Sequence, residues 1–355
     1  MHTKELRALA EETGPFASVY FEDSHDTADA EKQLELKWRE LRTELAGHGA
    51  GEVVLDRLEH SVFDQERPVG RSARALVATE DRLLVDQELT WPPAAPVARF
   101  STLPYLLPLV TGGRRGPSYL LATADRVGAE ISVVDEAGRP LEAEAVEGED
   151  HPVHKVRGGG LSHRRIQSAV EETVRHNLED VAEEVAKVAA RTGVQLIVLA
   201  GEVQARTQLR DALPEQARRM STELTGGEVE RELDELLTTW RLGALDELAE
   251  RFRAESGRDT GLAVQGLTAV TTALREGNVA HLLVTEPGAE TVHRGAGAAQ
   301  VAASATELSA LGTAEAEHRA DEAVPLAALA VGAEITGFDE RLRLTDGFGA
   351  LLRHG

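Results

Sequence analysis

Apolar residues recur along this chain with two periods, one typical of strands and the other typical of amphipathic helices. A short helix is predicted over residues 3–12, followed by a strand over 16–23 that is rich in aromatic and β-branched residues. The next helix, over about 30–46, has one apolar face with spacings of three and four. That face consists of Leu34, Trp38, Leu41 and Leu45. A further helix is predicted over about 51–63.

Two strands that turn at Glu80-Asp81 are predicted over residues 74–89, and they form a hairpin. The proline-rich run 91–110 that follows predicts irregular structure. It belongs to a longer stretch, 89–124, that contains no acidic residue. The glycines and arginines at 112–116 end this run and predict a joint between domains.

A second segment shows strand, helix and strand in succession. Strands are predicted at 118–125 and 129–138, then an acidic connection over 141–150 and a short strand at 151–156. A long helix over about 162–191 carries apolar residues at spacings of three and four, and an apolar strand follows at 194–202. Another helix begins near Thr207. This order is a βαβ arrangement, so we expect a partly parallel sheet.

The last segment is again α/β in character. Residues 228–257 predict a long, bent amphipathic helix, and 261–284 predict a helix capped at Gly277-Asn278 followed by a buried strand at 281–284. Alanine-rich helices and short strands continue to the end. The fold class predicted is therefore α/β, with mixed sheets and flanking helices in three domains. We place these domains at 1–114, 115–240 and 241–355.

Composition narrows the function classes. The 355 residues include no cysteine, which excludes disulfides, thiolate chemistry, zinc fingers and iron–sulfur clusters. The formal net charge of -23 argues against indiscriminate binding to naked DNA or to an anionic membrane. No run resembles a secretory signal or a membrane-spanning helix, so we expect a cytoplasmic protein.

One segment departs from this acidic background. Residues 151–170 contain four cations, three histidines and no acidic residue, and they surround three consecutive glycines at 158–160. We call this segment the basic island. Such an island is typical of contact with phosphate groups, and the three glycines indicate a loop that approaches a partner closely. The alternative is a solvated surface loop whose arginines have no partner.

Other chemistries fit the basic island less well. His151 and His154 have the spacing of a metal-binding pair, but on a strand this spacing places them on opposite faces. His163 has no carboxylate nearby in the sequence to orient it as a general base. The glycines lack the Gly-Lys-Ser/Thr ending of a phosphate-binding loop, and Ser162 lacks the surroundings of a hydrolase nucleophile. We therefore expect neither a metal nor a cofactor.

Three motifs resemble a known superfamily. The sequence RGGG at 157–160, the RHN at 175–177 in the long helix and the strand IVLAG at 197–201 resemble the middle domain of archaeal and eukaryotic class-I release factors. Residues 261–284 resemble the start of the last domain of the same superfamily, which includes Pelota and the bacterial ribosome-hibernation factor Balon. Residues 16–24 are similar to the N-terminal domain of the bacterial branch. The resemblance implies a release-factor or Pelota-like architecture.

The resemblance also implies a position on the ribosome. Release factors of this type carry RGGQ, and their glutamine places a water at the ester that joins peptide to tRNA. Here the corresponding residue is Gly160 or Leu161, and Gln167 lies about two helical turns, roughly 9 Å, into the helix. The resemblance thus implies a hibernation factor that occupies the ribosomal A site without ester hydrolysis. The alternatives are a peptidyl-tRNA hydrolase or rescue factor, and an interaction module unrelated to ribosomes.

The partners expected from the resemblance follow the three domains. The N-terminal domain would face the decoding region and 16S rRNA, the middle domain would reach the peptidyl-transferase region and 23S rRNA, and the C-terminal domain would face the stalk base or a translational GTPase such as EF-Tu. No catalytic residue is assigned. The predicted ribosome-binding residues are Lys155, Arg157, Gly158, Gly159, Gly160, Leu161, His163, Arg164 and Arg165.

Overall fold

The computed structural model describes residues 3–24, 29–64, 72–89, 92–111, 116–136, 138–147, 160–258, 261–309 and 316–355, excepting the side chains of 3–5, 144, 146–147 and 160–171. The chain divides into two compact units. One comprises residues 1–113 together with 245–355, and the other comprises 114–244. Within the described ranges, none of the helices combines the length and the apolar character needed to cross a bilayer.

The first part of the chain forms an antiparallel sheet with helices. Its elements are α1 (Thr3–Ala8), β1 (Phe16–Glu22), α2 (Ala30–Gly47), α3 (Glu52–Phe63), β2 (Ala73–Ala78), β3 (Leu83–Leu89), β4 (Val97–Ser101) and α4 (Leu107–Thr111). The sheet order is β3-β2-β1-β4. Strand β1 is central and nearly continuous in buried residues, because both of its faces are covered. Val19 and Phe21 belong to the core with α2 and α3, whereas Phe16 and Tyr20 belong to the core on the other face.

The prediction of irregular structure over 91–110 is wrong for part of that run. Residues 97–101 form β4, which pairs antiparallel with β1, and residues 107–111 form α4. Val97, Phe100 and their neighbours lack a clear alternation because β4 is only partly buried. The prolines lie on either side of the strand, so they did not prevent pairing.

The second unit contains a five-stranded sheet. Its elements are β5 (Tyr119–Ala124), β6 (Gly128–Val134), β7 (Pro140–Glu147), α5 (Gly160–Thr192), β8 (Leu196–Gly201), α6 (Val203–Ala212), α7 (Glu215–Arg219), β9 (Ser221–Glu223) and the first half of α8 (Val229–Ser256). The sheet order is β7-β6-β5-β8-β9. Strand β8 is parallel to both β5 and β9, which confirms the predicted partly parallel sheet.

Each face of this sheet has its own apolar cover. Helices α5 and α6 pack on one face, with Leu178, Val185 and Leu209 in that core. The first half of α8 covers the other face, where Leu233 and Leu237 pack against the sheet. The alternation along β5 explains the division, since consecutive side chains of a strand point to opposite faces.

The acidic connection predicted over 141–150 is wrong, because residues 140–147 form β7. This strand pairs antiparallel with β6 at the edge of the sheet. Residues 141–145 do alternate between apolar and acidic types, but Leu141 and Glu142 are both exposed, so the alternation does not separate a buried face from an exposed one. A row of glutamates on an edge strand also discourages pairing with another chain. The short strand predicted at 151–156 lies outside the described residues.

The last part of the chain completes the first unit. After α8 come β10 (Ala263–Gln265), α9 (Leu267–Arg275), β11 (Val279–Val284), β12 (Thr291–Arg294), β13 (Val301–Ala302), α10 (Ala305–Ser309), β14 (Ala316–Arg319), α11 (Ala320–Ala330), β15 (Glu334–Gly337) and β16 (Phe348–Leu352). These strands form two sheets, ordered β10-β16-β11-β15 and β13-β12-β14. Helix α11 is buried on almost every side.

One hydrophobic core joins residues from both ends of the chain. Leu6, Leu106 and Val110 share it with Val270 and Val324. The predicted joints, 112–116 and 240–257, lie next to the limits of the two units, although α8 is a single helix through residue 256. The division of the first unit into two separate domains stays a prediction.

Candidate functional site

The basic island lies between the edge strand β7 and the long helix α5. Residues 151–159, including Lys155, Arg157, Gly158 and Gly159, lie outside the described residues. Gly160 is the first residue of α5, so it begins the helix and does not belong to the loop as predicted. Leu161, His163, Arg164 and Arg165 occupy the first two turns of α5. The structure therefore gives the backbone position of the second half of the island.

Helix α5 packs on the sheet through side chains described from about its fourth turn onward. Its described side chains in the core extend from Val174 to Ala189. Gly160 precedes Val174 by 14 residues, which corresponds to about 21 Å along the helix axis. The backbone at the start of α5 thus lies about four helical turns before Val174.

The segment that contains the island begins at a defined edge of the sheet. Strand β7 is antiparallel to β6, and β6 is antiparallel to β5, so β7 runs in the same direction as β5 and β8. The carboxyl ends of these strands, at Glu147, Ala124 and Gly201, consequently lie at one edge. Crevices outside the carboxyl ends of strands are common ligand sites in α/β sheets.

The backbone at this edge is closely packed. Gly201 has φ +101°, and a Cβ atom placed there would lie 2.0 Å from the carbonyl oxygen of Ala124. Only glycine fits such a position. The amide of Glu202 then donates to that same carbonyl at 2.9 Å. The close approach fixes the end of β8 against the end of β5.

The cations described at this edge are already neutralised. Arg126 pairs with Glu202 at 3.1 Å, and the buried Arg206 donates to Glu223 at 2.9 Å. Arg210 reaches the other oxygen of Glu223 at 3.0 Å. The hydrogen bond from Arg206 is the main cause that lowers the pKa of the Glu223 carboxyl. These arginines stabilise the unit and have their charge satisfied within it.

The RHN motif is divided between the two sides of α5. Arg175 lies on the exposed side, where it forms ion pairs with Glu172 and Glu179. His176 is also exposed and lies 4.0 Å from Glu179 and from Asp180. Asn177 is buried, next to Leu178 in the core. Within this motif, Asn177 is the buried residue, and the other two residues are exposed.

The sequence has no glutamine at the start of α5, where the resemblance to release factors places one. Gly160 and Leu161 stand in the first turn of α5, and neither residue type can orient a water by a side-chain hydrogen bond. Gln167 follows Gly160 by seven residues, which is about 10 Å along the axis. Across the part of the chain that the structure describes, no group of three His, Asp or Glu side chains is arranged to hold a metal ion.

The chain is similar to a protein family and to two mycobacterial proteins. The family model described as bacterial archaeo-eukaryotic release factor family 2 matches residues 118–258. The protein Rv2629 of Mycobacterium tuberculosis H37Rv is 38% identical over 365 residues, which cover 100% of this chain and 97% of that protein. The protein MT2704 of M. tuberculosis CDC 1551 matches with the same values.

Solved structures of similar proteins are more distant. The archaeal translation termination factor aRF1 is 16% identical, covers 99% of this chain and 98% of its own, and has a TM-score of 0.26. Pelota of Archaeoglobus fulgidus is 12% identical, with coverages of 100% and 93% and a TM-score of 0.34. An archaeal Pelota from a ribosome-bound complex with ABCE1 is 15% identical, with coverages of 99% and 94% and a TM-score of 0.39.

The family match spans the sheet, helix α5 with its RHN motif, and the first two turns that carry the end of the basic island. The match with the mycobacterial protein extends over the whole chain. This chain belongs to the bacterial archaeo-eukaryotic release factor family, within the superfamily of release-factor and Pelota-like proteins.

Proposed function

We propose that this protein binds the ribosomal A site in the manner of a release factor and leaves the peptidyl-tRNA ester intact, as a hibernation factor would. The main support for the proposal is the type of residue at the start of α5. Glycine at 160 and leucine at 161 stand where a hydrolytic member of the family needs glutamine. Positioning of an attacking water can supply on the order of 7–11 kcal/mol of the barrier to hydrolysis, so its loss would leave the ester long-lived.

The distribution of charge supports contact with rRNA through the basic island. The described arginines at the carboxyl edge of the sheet, Arg126, Arg206 and Arg210, have carboxylate partners. The basic island has four cations and no acidic residue of its own within 151–170. The positive end of the α5 dipole also lies at Gly160, with no acidic residue in the first turn to neutralise it. Phosphate groups complement this combination.

Release of peptide is the decisive measurement. Ribosomes carrying labelled peptidyl-tRNA in the P site are incubated with saturating protein, and released peptide is counted against an active class-I release factor. We expect stable occupancy and no release above background. The Gly160→Gln and Leu161→Gln variants test the chemistry of the loop, and one of them should gain release activity. Release by the unaltered protein at a rate comparable to the release factor would contradict the proposal and favour peptidyl-tRNA hydrolysis or rescue.

The Gln167→Ala variant is the control for an unexpected result. If the unaltered protein releases peptide and this variant does not, Gln167 performs the role of the family glutamine from a position further along α5. If both release peptide equally, the activity comes from backbone amides or from another group.

Binding is tested through its dependence on salt. Replacing Arg157, Arg164 and Arg165 with Glu should weaken cosedimentation with ribosomes and reduce the slope of log K against log[salt] by about three, because each arginine neutralises about one phosphate. The matched control replaces Arg218, Arg251 and Arg343, which are exposed elsewhere, and changes the net charge by the same amount. An equal effect of both triple variants would assign the salt dependence to net charge and refute a local contact.

The three predicted segments receive different ribosomal roles in this proposal. Residues 1–114 face the decoding region of the small subunit, 115–240 carry the basic island toward the peptidyl-transferase region, and 241–355 face the stalk base or a translational GTPase such as EF-Tu. The segments can be tested separately by crosslinking from single introduced cysteines, because the chain has no cysteine of its own. A cysteine at an exposed position of α3 should crosslink to the small subunit, and one at the exposed position 343, in the loop after β15, should not.

A further inference from the structure

Among the described residues Arg294 has no carboxylate partner, and it lies in the first unit, far in sequence from the basic island. It is the last residue of β12, directly opposite Ala316 on β14 and Val301 on β13. Its side chain is partly buried, and its Nε atom is buried with no hydrogen-bond acceptor. Among the described residues no carboxylate lies within ion-pair distance of its guanidinium group. Burial alone lowers the pKa of Arg294.

Three other partly buried arginines of the same unit have carboxylate partners. Arg275 donates to Glu307 at 2.7 Å, Arg319 to Asp321 at 2.8 Å, and Arg99 to Asp321 at 3.0 Å. The local sequence contributes to the difference. Residues 291–306 contain His293 and Arg294 but no acidic residue. Arg294 therefore has no acidic neighbour on its own strand or on the hairpin that follows.

A second basic side chain lies on the same face of this small sheet. His318 stands opposite Val292, so it is diagonal to Arg294 on the face that Val292 buries in the core. The hydroxyl of Thr102 contacts Nδ1 of His318 at 3.2 Å, which leaves Nε2 available for another partner. Burial, and then the positive charge of Arg294, lower the pKa of the His318 imidazole. The guanidinium charge of Arg294 thus lies in a partly buried position near the His318 imidazole, with no carboxylate partner among the described residues.

An uncompensated guanidinium in such a place loses hydration without gaining a partner. A buried donor that lacks an acceptor is destabilising, and a charge-assisted hydrogen bond to an anion removes that cost. Oxyanions supply such bonds, because the guanidinium fork matches two oxygens of a phosphate group. When the Thr102 hydroxyl donates to Nδ1 of His318, the ring proton is on Nε2, which is then a further donor on the same face of the sheet as Arg294.

We propose that Arg294, His318 and Thr102 form a binding site for a single small oxyanion of the phosphate class, either free phosphate or the terminal phosphate of a nucleotide. The place is partly buried between strands, so it suits one terminal phosphate group better than a polymer backbone. The site is independent of the proposed ribosomal role, because none of its residues belongs to the basic island. The structure assigns it to the C-terminal sheet β13-β12-β14 and to the residue that follows β4.

The experiment measures binding by the intact protein. Inorganic phosphate is titrated at constant ionic strength with chloride as the balancing anion, and binding is followed by the shift of the thermal unfolding midpoint and by ³¹P line broadening. A second titration uses a nucleoside diphosphate. Arg294→Gln should weaken phosphate binding about 10- to 100-fold, corresponding to one lost charge-assisted interaction. Arg343→Gln removes the same charge from an exposed position and should leave binding unchanged.

The outcomes separate the possibilities. A saturable shift with phosphate that Arg294→Gln loses and Arg343→Gln keeps supports the site, and tighter binding of the nucleoside diphosphate identifies the phosphate as part of a nucleotide. If Arg294→Gln does not fold, Arg294→Lys keeps the charge without the fork and should weaken binding while retaining the fold. No saturable shift with the unaltered protein, or an equal shift in all variants, overturns the proposal.

Discussion

Arg99 connects the two ends of the chain within the first unit, and its replacement by methionine tests how that connection is stabilised. Its Nη1 atom donates to Asp321 at 3.0 Å and lies 3.4 Å from Glu322, and the guanidinium stacks 3.6 Å from the centre of the Tyr105 ring. Asp321 and Glu322 are each 3% exposed in the first turn of α11. Methionine keeps an unbranched apolar side chain but removes the guanidinium both from the Tyr105 ring and from beside two buried carboxylates.

The cost can be bounded from these contacts. Breaking a buried ion pair by removing one partner typically costs 3–5 kcal/mol. The Arg99 side chain is 25% exposed, and the carboxylates keep other donors, since Arg319 reaches Asp321 at 2.8 Å and Ser101 reaches Glu322 at 3.1 Å. We therefore expect Arg99→Met to lower the free energy of unfolding by about 2–3 kcal/mol at pH 7.

The pH dependence has a definite sign. Burial is the main cause that raises the pKa of Glu322, and the charge of Arg99 opposes it. Without Arg99 the pKa of Glu322 should rise further. A carboxyl group whose pKa is raised on folding holds its proton more tightly in the folded state, so stability falls as the pH rises through the folded pKa. The deficit of Arg99→Met should be largest near neutral pH and should shrink as the pH falls toward 5.

Urea unfolding followed by the fluorescence of Trp38 measures this effect, because Trp38 is buried in the same unit. Trp91 and Trp240 are replaced by Phe in all variants so that the signal comes from one site. Arg343→Met, at an exposed position, is the control and should stay within about 0.5 kcal/mol. Adding Glu322→Gln to Arg99→Met should recover part of the loss. A deficit below 0.5 kcal/mol, or one that is constant from pH 5 to 7.5, would refute the reasoning.

Two further predictions concern the second unit. Glu223→Gln leaves the buried Arg206 without its carboxylate and should cost about 2–3 kcal/mol at pH 7. The pKa of the Glu223 carboxyl is lowered, mainly by the hydrogen bond from Arg206. The stabilisation that this carboxylate provides is therefore present above the ordinary pKa of 4.5 and is lost as the pH falls. The urea midpoints of the unaltered protein and of Glu223→Gln should converge toward about pH 4. Gly201→Ala should cost more than about 3 kcal/mol by thermal unfolding, whereas Gly193→Ala, with φ +67° and open space around its Cβ, should cost about 1–2 kcal/mol. Equal losses for the two glycines would refute the close approach to Ala124.

The elements that could be predicted are those whose apolar residues follow one period over several turns. Helix α2 buries Leu34, Trp38, Leu41 and Leu45, the four residues expected on its inner face. The hairpin of β2 and β3 pairs with its turn where the sequence indicated it. These elements have one buried face and one exposed face, so the spacing of apolar residues in the sequence indicates which residues are buried.

The elements that were missed lack such a record. The described side chains of strand β7 are exposed, and its glutamates make its sequence resemble that of an acidic loop. Strand β4 and helix α4 are too short for a period to develop. Their positions depend on partners elsewhere in the chain, since β4 joins the sheet through β1. Pairings of that kind require the fold, because local propensity only weakly determines short edge strands.

The predicted site shows the same limit. The sequence located the basic island and the missing glutamine, and the structure places Gly160 at the first position of α5 instead of in the loop. The sequence identified Asn177 only as part of the RHN motif. Its burial next to the core is visible only in the folded structure. The group formed by Arg294, His318 and Thr102 had no signal in the sequence, because three separate segments contribute one residue each.

Acid-free runs in an acidic chain have at least two different meanings here, and only the fold distinguishes them. The run 89–124 contains Arg99, whose carboxylates come from α11, 222 residues further along the chain. Its lack of acidic residues therefore reflects an internal partner. The run 291–306 contains Arg294, for which the described structure supplies no carboxylate. A cation without a carboxylate partner in the fold is available to an external anion. A cation from an equally acid-free segment that pairs with buried carboxylates instead stabilises the fold. The local charge pattern of the sequence thus indicates a candidate anion site, and the ion pairs formed in the folded protein decide whether its cations are free to bind an anion.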